Sequence, residues 1–173
     1  MDLKAAIRTI PNWPQRGIMF RDITTLLQKP AALKFACKQF VNRYQDKKID
    51  CIVGIESRGF IFSSILAYEL GVKLVIIRKP GKLPFKTISQ EYTLEYGHDK
   101  VEMHIDAIST GENVLIVDDL IATGGTVSAA AKLIEKVGAK VLEMAFVVGL
   151  PDILDKEKTA PYKIFTLIDF EGK

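Results

Sequence analysis

The chain is poor in several things that simple functional classes require. Among its 173 residues there are two cysteines, two histidines and one tryptophan. Cys37 and Cys51 each lie inside an apolar periodic segment, which favours two reduced core thiols over a disulfide. Neither they nor His98 and His104 fall at a metal-ligand spacing, so no metal held directly by protein side chains is expected. No charge-free run approaches the roughly 18 residues of a spanning helix. The opening MDLKAAIRTI carries Asp2, Lys4 and Arg8 and no apolar h-region, which argues against a signal peptide. There is no excess of one charge: 24 basic against 21 acidic residues leave +3, and the lysines are dispersed along the chain. That excludes a basic stripe for nucleic acid and a polybasic membrane face. No internal repeat and no low-complexity segment stands out. The expectation is a soluble, cytoplasmic protein with no nucleic-acid or membrane partner.

What is present is core material. Hydrophobic residues make up 48% and charged residues 26%, and the length suits one domain, 1–173. Leu33, Ala36, Cys37, Phe40, Val41 and Tyr44 recur at helical spacing over 31–46. CIVGI (51–55) reads as a buried strand, and FIFSSILAYEL, apolar nearly all round, as a well-buried helix closed by Gly71. KLVIIRK (73–79) and NVLIVDD (113–119) are further strands. The second is followed by a helix with Val127, Ala130, Ala131, Ile134 and Val137 on one face. VLEMAFVVGL (141–150) and YKIFTLIDF (162–170) complete the set. Strands alternating with helices predict an α/β fold, a parallel twisted sheet flanked by helices and joined by right-handed crossovers.

In such sheets ligands bind beyond the carboxyl ends of the strands, which selects the loops 55–59, 79–97 and 118–126. The middle loop has its own pattern. Tyr92, Leu94 and Tyr96 alternate with Glu91, Thr93 and Glu95, Gly97-His98-Asp99 reads as a turn, and Val101, Met103 and Ile105 alternate again. A β-hairpin here, within a lid spanning about 81–105, would project from the ligand end of the sheet.

The last loop carries the most chemistry. In VLIVDDLIATGGT (114–126), Gly124 and Gly125 open a helix whose first N–H groups lack intrahelical partners, with hydroxyls at Thr123 and Thr126. That is a phosphate monoester site, and neither a Walker loop nor a dinucleotide fingerprint. Asp118 and Asp119 would repel the phosphate itself but accept hydrogen bonds from a diol a few ångströms away. Together they fit a ribose 5-phosphate. The plainer alternative, an aspartate cap and an ordinary Gly-Gly turn, explains Asp-x-x-x-x-Gly-Gly but not the whole stretch.

This stretch resembles the phosphoribosyl-pyrophosphate signature of the type I phosphoribosyltransferases. WPQRGIMFRDIT (13–24), GIESRGF (54–60), IRKPGKLP (77–84) and EYTLEYG (91–97) narrow the resemblance to the adenine phosphoribosyltransferases, in order and spacing over nearly the whole chain. The resemblance implies transfer of 5-phosphoribose from 5-phosphoribosyl 1-pyrophosphate to adenine, giving AMP and pyrophosphate, by a homodimer using Mg²⁺. The ion would be held mainly by substrate and water near Asp118 and Asp119. It implies ribose 5-phosphate on Asp118, Asp119, Ala122, Thr123, Gly124, Gly125 and Thr126. Pyrophosphate would lie on Glu56, Ser57, Arg58, Arg78, Lys79 and Lys82, with Arg78 able to reach the neighbouring subunit. Adenine would stack between Phe20 and Leu150, its edge read by main-chain groups of Met19 and Arg21, under a hood formed by about residues 1–30. Glu95 would handle the adenine proton, joining Asp118, Asp119 and Arg58 as catalytic residues, while Tyr92 and Tyr96 seal the lid. Two positions depart from the family pattern beside the base pocket: Thr25 stands where proline is frequent and Gly149 where an acid is common. That leaves two rivals: the same reaction on another purine base, or a non-catalytic sensor of phosphoribosyl pyrophosphate.

Overall fold

The computed structural model describes residues 1–93 and 97–172. After a single 3-10 turn at Lys4–Ala6, the chain runs β1 (Arg8–Pro11), β2 (Met19–Asp22), α1 (Thr24–Leu27), α2 (Pro30–Tyr44), β3 (Cys51–Ile55), α3 (Gly59–Leu70), β4 (Lys73–Ile77), β5 (Thr87–Thr93) and β6 (His98–His104). It continues through β7 (Asn113–Ile121), α4 (Gly125–Lys136), β8 (Lys140–Gly149), α5 (Lys156–Thr159) and β9 (Ile164–Asp169). Five strands form a parallel sheet in the order β4-β3-β7-β8-β9. This is the α/β architecture expected.

Both faces of this sheet are covered, which is why its central strands read as unbroken apolar runs. On β7 the alternation of a strand sends Leu115 and Val117 into a core with Leu26, Phe40, Tyr44, Phe62 and Leu66. Val114 and Ile116 point the other way, into a core with Ala130, Leu133, Ile134 and Met103. The chain leaves β3 outward to β4 and later fills the opposite side from β7 to β9. The crevice outside the ends of β3 and β7 is therefore the topological switch point where such sheets bind ligands.

Two small antiparallel ribbons flank that end. One is β1 with β2, from residues assigned to the hood; the other is β5 with β6, the expected lid hairpin. The turn differs from expectation. Thr93 pairs with His98 and Tyr92 with Asp99, so His98 and Asp99 belong to a strand and not to a turn. Leu94, Glu95 and Tyr96 lie outside the described residues.

Two further expectations are corrected. β7 does not end on its two acids but continues to Ile121, because β8 supplies partners as far as Gly149. Helix α3 is buried on one face only, through Gly59, Phe62, Ser63, Leu66 and Ala67, while Tyr68 is 84% exposed. A helix flanking a sheet can bury only the stripe that meets it, and the outer apolar face of α3 is left open. Gly71 closes this helix in the left-handed region, as expected. Both cysteines are buried and free. Among the described residues no helix is long and apolar enough to cross a membrane.

Candidate active site

A cavity of about 240 Å³ opens at the switch point, walled by Glu56, Ser57 and Arg58 after β3, Lys79 after β4, and the whole run from Asp118 to Val127. The structure thus gathers the ribose-phosphate residues named from sequence, Asp118, Asp119, Ala122, Thr123, Gly124, Gly125 and Thr126, around one space with most of the diphosphate set. Ile55, Leu120, Ile121, Val127 and Phe146 complete the wall, and of these Val127 and Phe146 lie outside the loops selected from sequence. Phe146 stands opposite Asp118 in the β7–β8 register, so strand alternation was the signal that could have found it.

The end of the cavity at the start of α4 is built from backbone. Gly124 sits at φ +85° as the residue before α4, with no side-chain cap on the helix. A side chain at 124 would also strike Thr159 Cγ2 at 2.6 Å. The first N–H groups of α4 therefore reach the cavity without intrahelical acceptors, carrying the partial positive charge of a helix start.

The two acids divide the labour. Asp119 is 4% exposed, and its Oδ2 lies 2.8 Å from Arg58 Nε without a directed hydrogen bond. Asp118 accepts the backbone N–H of Asp119 at 2.8 Å through Oδ1. Gly59 makes room for that carboxylate, since a Cβ there would sit 2.5 Å from Asp118 Oδ1. Burial first, and then the charge of Asp119, push the Asp118 carboxyl well above the ordinary aspartate range. Burial also raises Asp119, against the pull of Arg58.

The four cations named for the pyrophosphate do not all line the cavity. Arg78 Nε donates to Glu56 Oε2 at 2.8 Å and Lys82 Nζ to Glu56 Oε1 at 2.6 Å, so these two lie behind the cavity wall and not in it. These two cations hold the Glu56 carboxyl below its ordinary value despite its burial. The Glu56–Ser57 peptide is cis. Lys79 donates to Tyr92 Oη at 2.6 Å and to the Asp99 carboxylate, and Thr126 Oγ1 donates to the same tyrosine oxygen at 3.2 Å. Tyr92 thus ties the β5–β6 hairpin to the body of the domain, while Tyr96, expected to act with it, lies outside the described residues.

The base-binding set does not line this cavity. Phe20 packs edge-on to Trp13, centroids 4.4 Å apart, and the Arg58 guanidinium lies 5.5 Å from its ring centre. Phe20 is thus tied to the cavity through Arg58. Met19 is exposed beside it at the ribbon edge. The Arg21 side chain turns away, donating to Thr9 Oγ1 at 2.6 Å and to the carbonyl of Glu171 at 3.2 Å. Leu150 is buried, and its N–H donates to the Ile121 carbonyl at 3.0 Å. Glu95 lies outside the described residues.

The phosphoribosyl transferase domain model matches residues 22–173. The chain is 60% identical over 173 residues to a protein of Desulfosudis oleivorans named adenine phosphoribosyltransferase, covering 100% of both. It is similar to the crystal structure of adenine phosphoribosyltransferase from Thermoanaerobacter pseudethanolicus, with a TM-score of 0.93 and 45% identity, over 97% of this chain and 98% of that one. It is also similar to the Saccharomyces cerevisiae enzyme complexed with an imino-altritol bisphosphate and adenine, with a TM-score of 0.89 and 42% identity over 96% of each.

Proposed function

We infer that this chain, which belongs to the adenine phosphoribosyltransferase family, transfers 5-phosphoribose from 5-phosphoribosyl 1-pyrophosphate to N9 of adenine, giving AMP and pyrophosphate. One observation carries the reading of the site: a single small cavity joins a helix-start anion cradle to three carboxylates, Glu56, Asp118 and Asp119, and two cations, Arg58 and Lys79, at the switch point. The 5-phosphate takes the backbone and hydroxyls from Thr123 to Thr126. The ribose diol takes Asp118 and Asp119. The diphosphate takes the Ser57–Arg58 loop and Lys79, with Arg78 and Lys82 close behind through Glu56.

The chemistry follows from charge. Leaving-group departure puts positive charge on the ribose and negative charge on the diphosphate. Carboxylates under the sugar and cations around the leaving group stabilise both, provided they are already in place. The lid excludes water, whose attack would waste the substrate. Phe20 holds one face of adenine and Leu150 the other, with main-chain groups of Met19 and Arg21 at its edge. Glu95 handles the proton.

The residues present fit Mg²⁺ arriving with its substrate. Among the described residues no group of three acids, histidines or cysteines could hold a metal alone, yet Asp119 Oδ2 is buried without a hydrogen bond. Asp118 and Asp119 would orient the waters of such an ion, which when bound supplies neutralisation of the diphosphate charge.

The working form is a homodimer. The open apolar face of α3, with Ile61 and Ile65 partly and Tyr68 largely exposed, supports this, and Arg78 stands near that side of the sheet. Sedimentation at twice 19.3 kDa is the expected result. Two buried reduced thiols support a cytoplasmic location. Steady-state rates with adenine, hypoxanthine, guanine and xanthine test the reaction. Adenine should turn over fastest; faster turnover of a 6-oxopurine would overturn the base assignment, and substrate binding without AMP would make the chain a sensor.

A further inference from the structure

We propose that Asp99, acting with Tyr92, positions the Lys79 ammonium for the diphosphate, so that seating the lid and presenting this cation are one event. The inference rests on Lys79 being a diphosphate ligand.

The argument begins with the freedom of a lysine. Four side-chain torsions leave an ammonium with no preferred place, and its three N–H donors are free to rotate. A cation that must meet a leaving group needs partners that hold it without consuming it. Lys79 has two: it donates to Tyr92 Oη at 2.6 Å and to the Asp99 carboxylate. The third N–H remains. Lys79 lines the cavity, whereas neither Tyr92 nor Asp99 does. The two lid residues therefore hold the ammonium from behind and leave its remaining donor for a ligand in front.

The network has only one consistent direction. Tyr92 Oη accepts from Lys79 at 2.6 Å and from Thr126 Oγ1 at 3.2 Å, filling both lone pairs, and its own proton goes to Asp99 Oδ2 at 3.0 Å. An ionised carboxylate at 99 is the acceptor that orients the other two residues. The hydrogen bond from Lys79 keeps Asp99 ionised, holding its carboxyl below the ordinary range.

The lid's own register makes this arrangement. Tyr92 and Asp99 are direct partners in the β5–β6 ribbon, so their side chains share one face only while that pairing holds. Thr126 lies in the first turn of α4, at the phosphate end, and Lys79 at the diphosphate end. One tyrosine oxygen thus bridges both anion subsites. The ring also packs against the start of α4, where a Cβ at Gly125 would meet Tyr92 Cδ2 at an ordinary contact distance of 3.5 Å. A merely structural ion pair would need neither the bridge to Thr126 nor the open side of Lys79.

The test is a double-mutant cycle on Asp99→Asn and Lys79→Met, with thermal stability measured as a control on folding. The readouts are the dissociation constant for 5-phosphoribosyl 1-pyrophosphate with Mg²⁺ by calorimetry, and KM for adenine. Asp99→Asn should weaken binding of the phosphoribosyl substrate about tenfold, leave KM for adenine unmoved, and have no further effect once Lys79→Met is present. No effect of Asp99→Asn, or the same factor in both backgrounds, overturns the positioning role. If Lys79→Met alone leaves the affinity unchanged, the diphosphate assignment of Lys79 fails instead, and the inference falls with it.

Discussion

Asp118→Asn should make the ligand-free protein more stable while slowing it as an enzyme, and the gain should depend on pH. Asp119 has Arg58 at 2.8 Å, but among the described residues Asp118 has no cation within ion-pair distance. Two adjacent carboxylates repel by about 1 kcal/mol in water and about 4 kcal/mol at a protein-like dielectric when some 4 Å apart, and Arg58 offsets part of this. A net relief on the order of 2 kcal/mol follows, or about 4–8 °C in Tm for a domain of this size. The sign with pH is set by the raised Asp118 value. Between the ordinary 3.8 and that raised value the folded chain binds more protons than the unfolded one, so wild-type stability falls as pH rises through the window. The variant lacks this titration. Scanning calorimetry of both proteins should therefore give nearly equal Tm values near pH 4 and a clear advantage to Asp118→Asn at pH 8, where its turnover is reduced. Carboxylates that do not touch Asp118 titrate alike in both proteins and cancel in the difference, while Asp119, its coupled neighbour, shifts with it and belongs to the same effect. A Tm gap that is independent of pH, or a variant less stable at pH 8, would refute the reasoning.

Gly124→Ala places a side chain at φ +85° and 2.6 Å from Thr159 Cγ2, so it should cost about 1–3 kcal/mol by urea titration and raise KM for the phosphoribosyl substrate. Glu143→Gln removes a carboxylate that is 6% exposed and receives Arg43 at 2.7 Å and Lys47 at 3.1 Å. Burial raises that carboxyl, but Arg43, Tyr44 and Lys47 outweigh it and hold it below its ordinary 4.5. The wild type should therefore be more stable by about 1–3 kcal/mol at neutral pH. That advantage should be lost as pH falls through the depressed value. Glu95→Gln should lower kcat more than it raises KM; an unchanged kcat in steady-state assays would deny Glu95 a proton-handling role.

The sheet and its ligand loops were legible because burial on both faces writes itself as short apolar runs, and because glycines mark the helix ends at 71, 124 and 138. The hairpin was legible as alternation, but its turn was not. Alternation is indifferent to where a ribbon reverses, and Gly97 drew the turn toward residues 97–99, although His98 and Asp99 pair with Thr93 and Tyr92 within the ribbon. The open face of α3 was illegible for a related reason. An apolar helix reads the same whether its second face meets this chain or another. The hood ribbon of β1 and β2 was placed only by resemblance, since four-residue strands carry too little period to declare themselves.

The cations show the deepest limit of reading along the chain. Arg58, Arg78, Lys79 and Lys82 read as positive charge gathered for a polyanion. In the folded protein each is already matched: Arg58 with Asp119, Arg78 and Lys82 with Glu56, and Lys79 with Asp99. Their partners come from other elements, 22 and 26 positions away for Arg78 and Lys82, so no local pattern reveals them. The consequence is energetic. Four cations left unpaired beside a cavity this small would repel one another and destabilise the fold, whereas resident carboxylates keep the ligand-free site near neutral. A diphosphate then gains only the difference between its own contacts and those it weakens. Affinity follows from how many of these pairs can share a cation instead of surrendering it, and a lysine held from behind with one donor still open is the arrangement that shares.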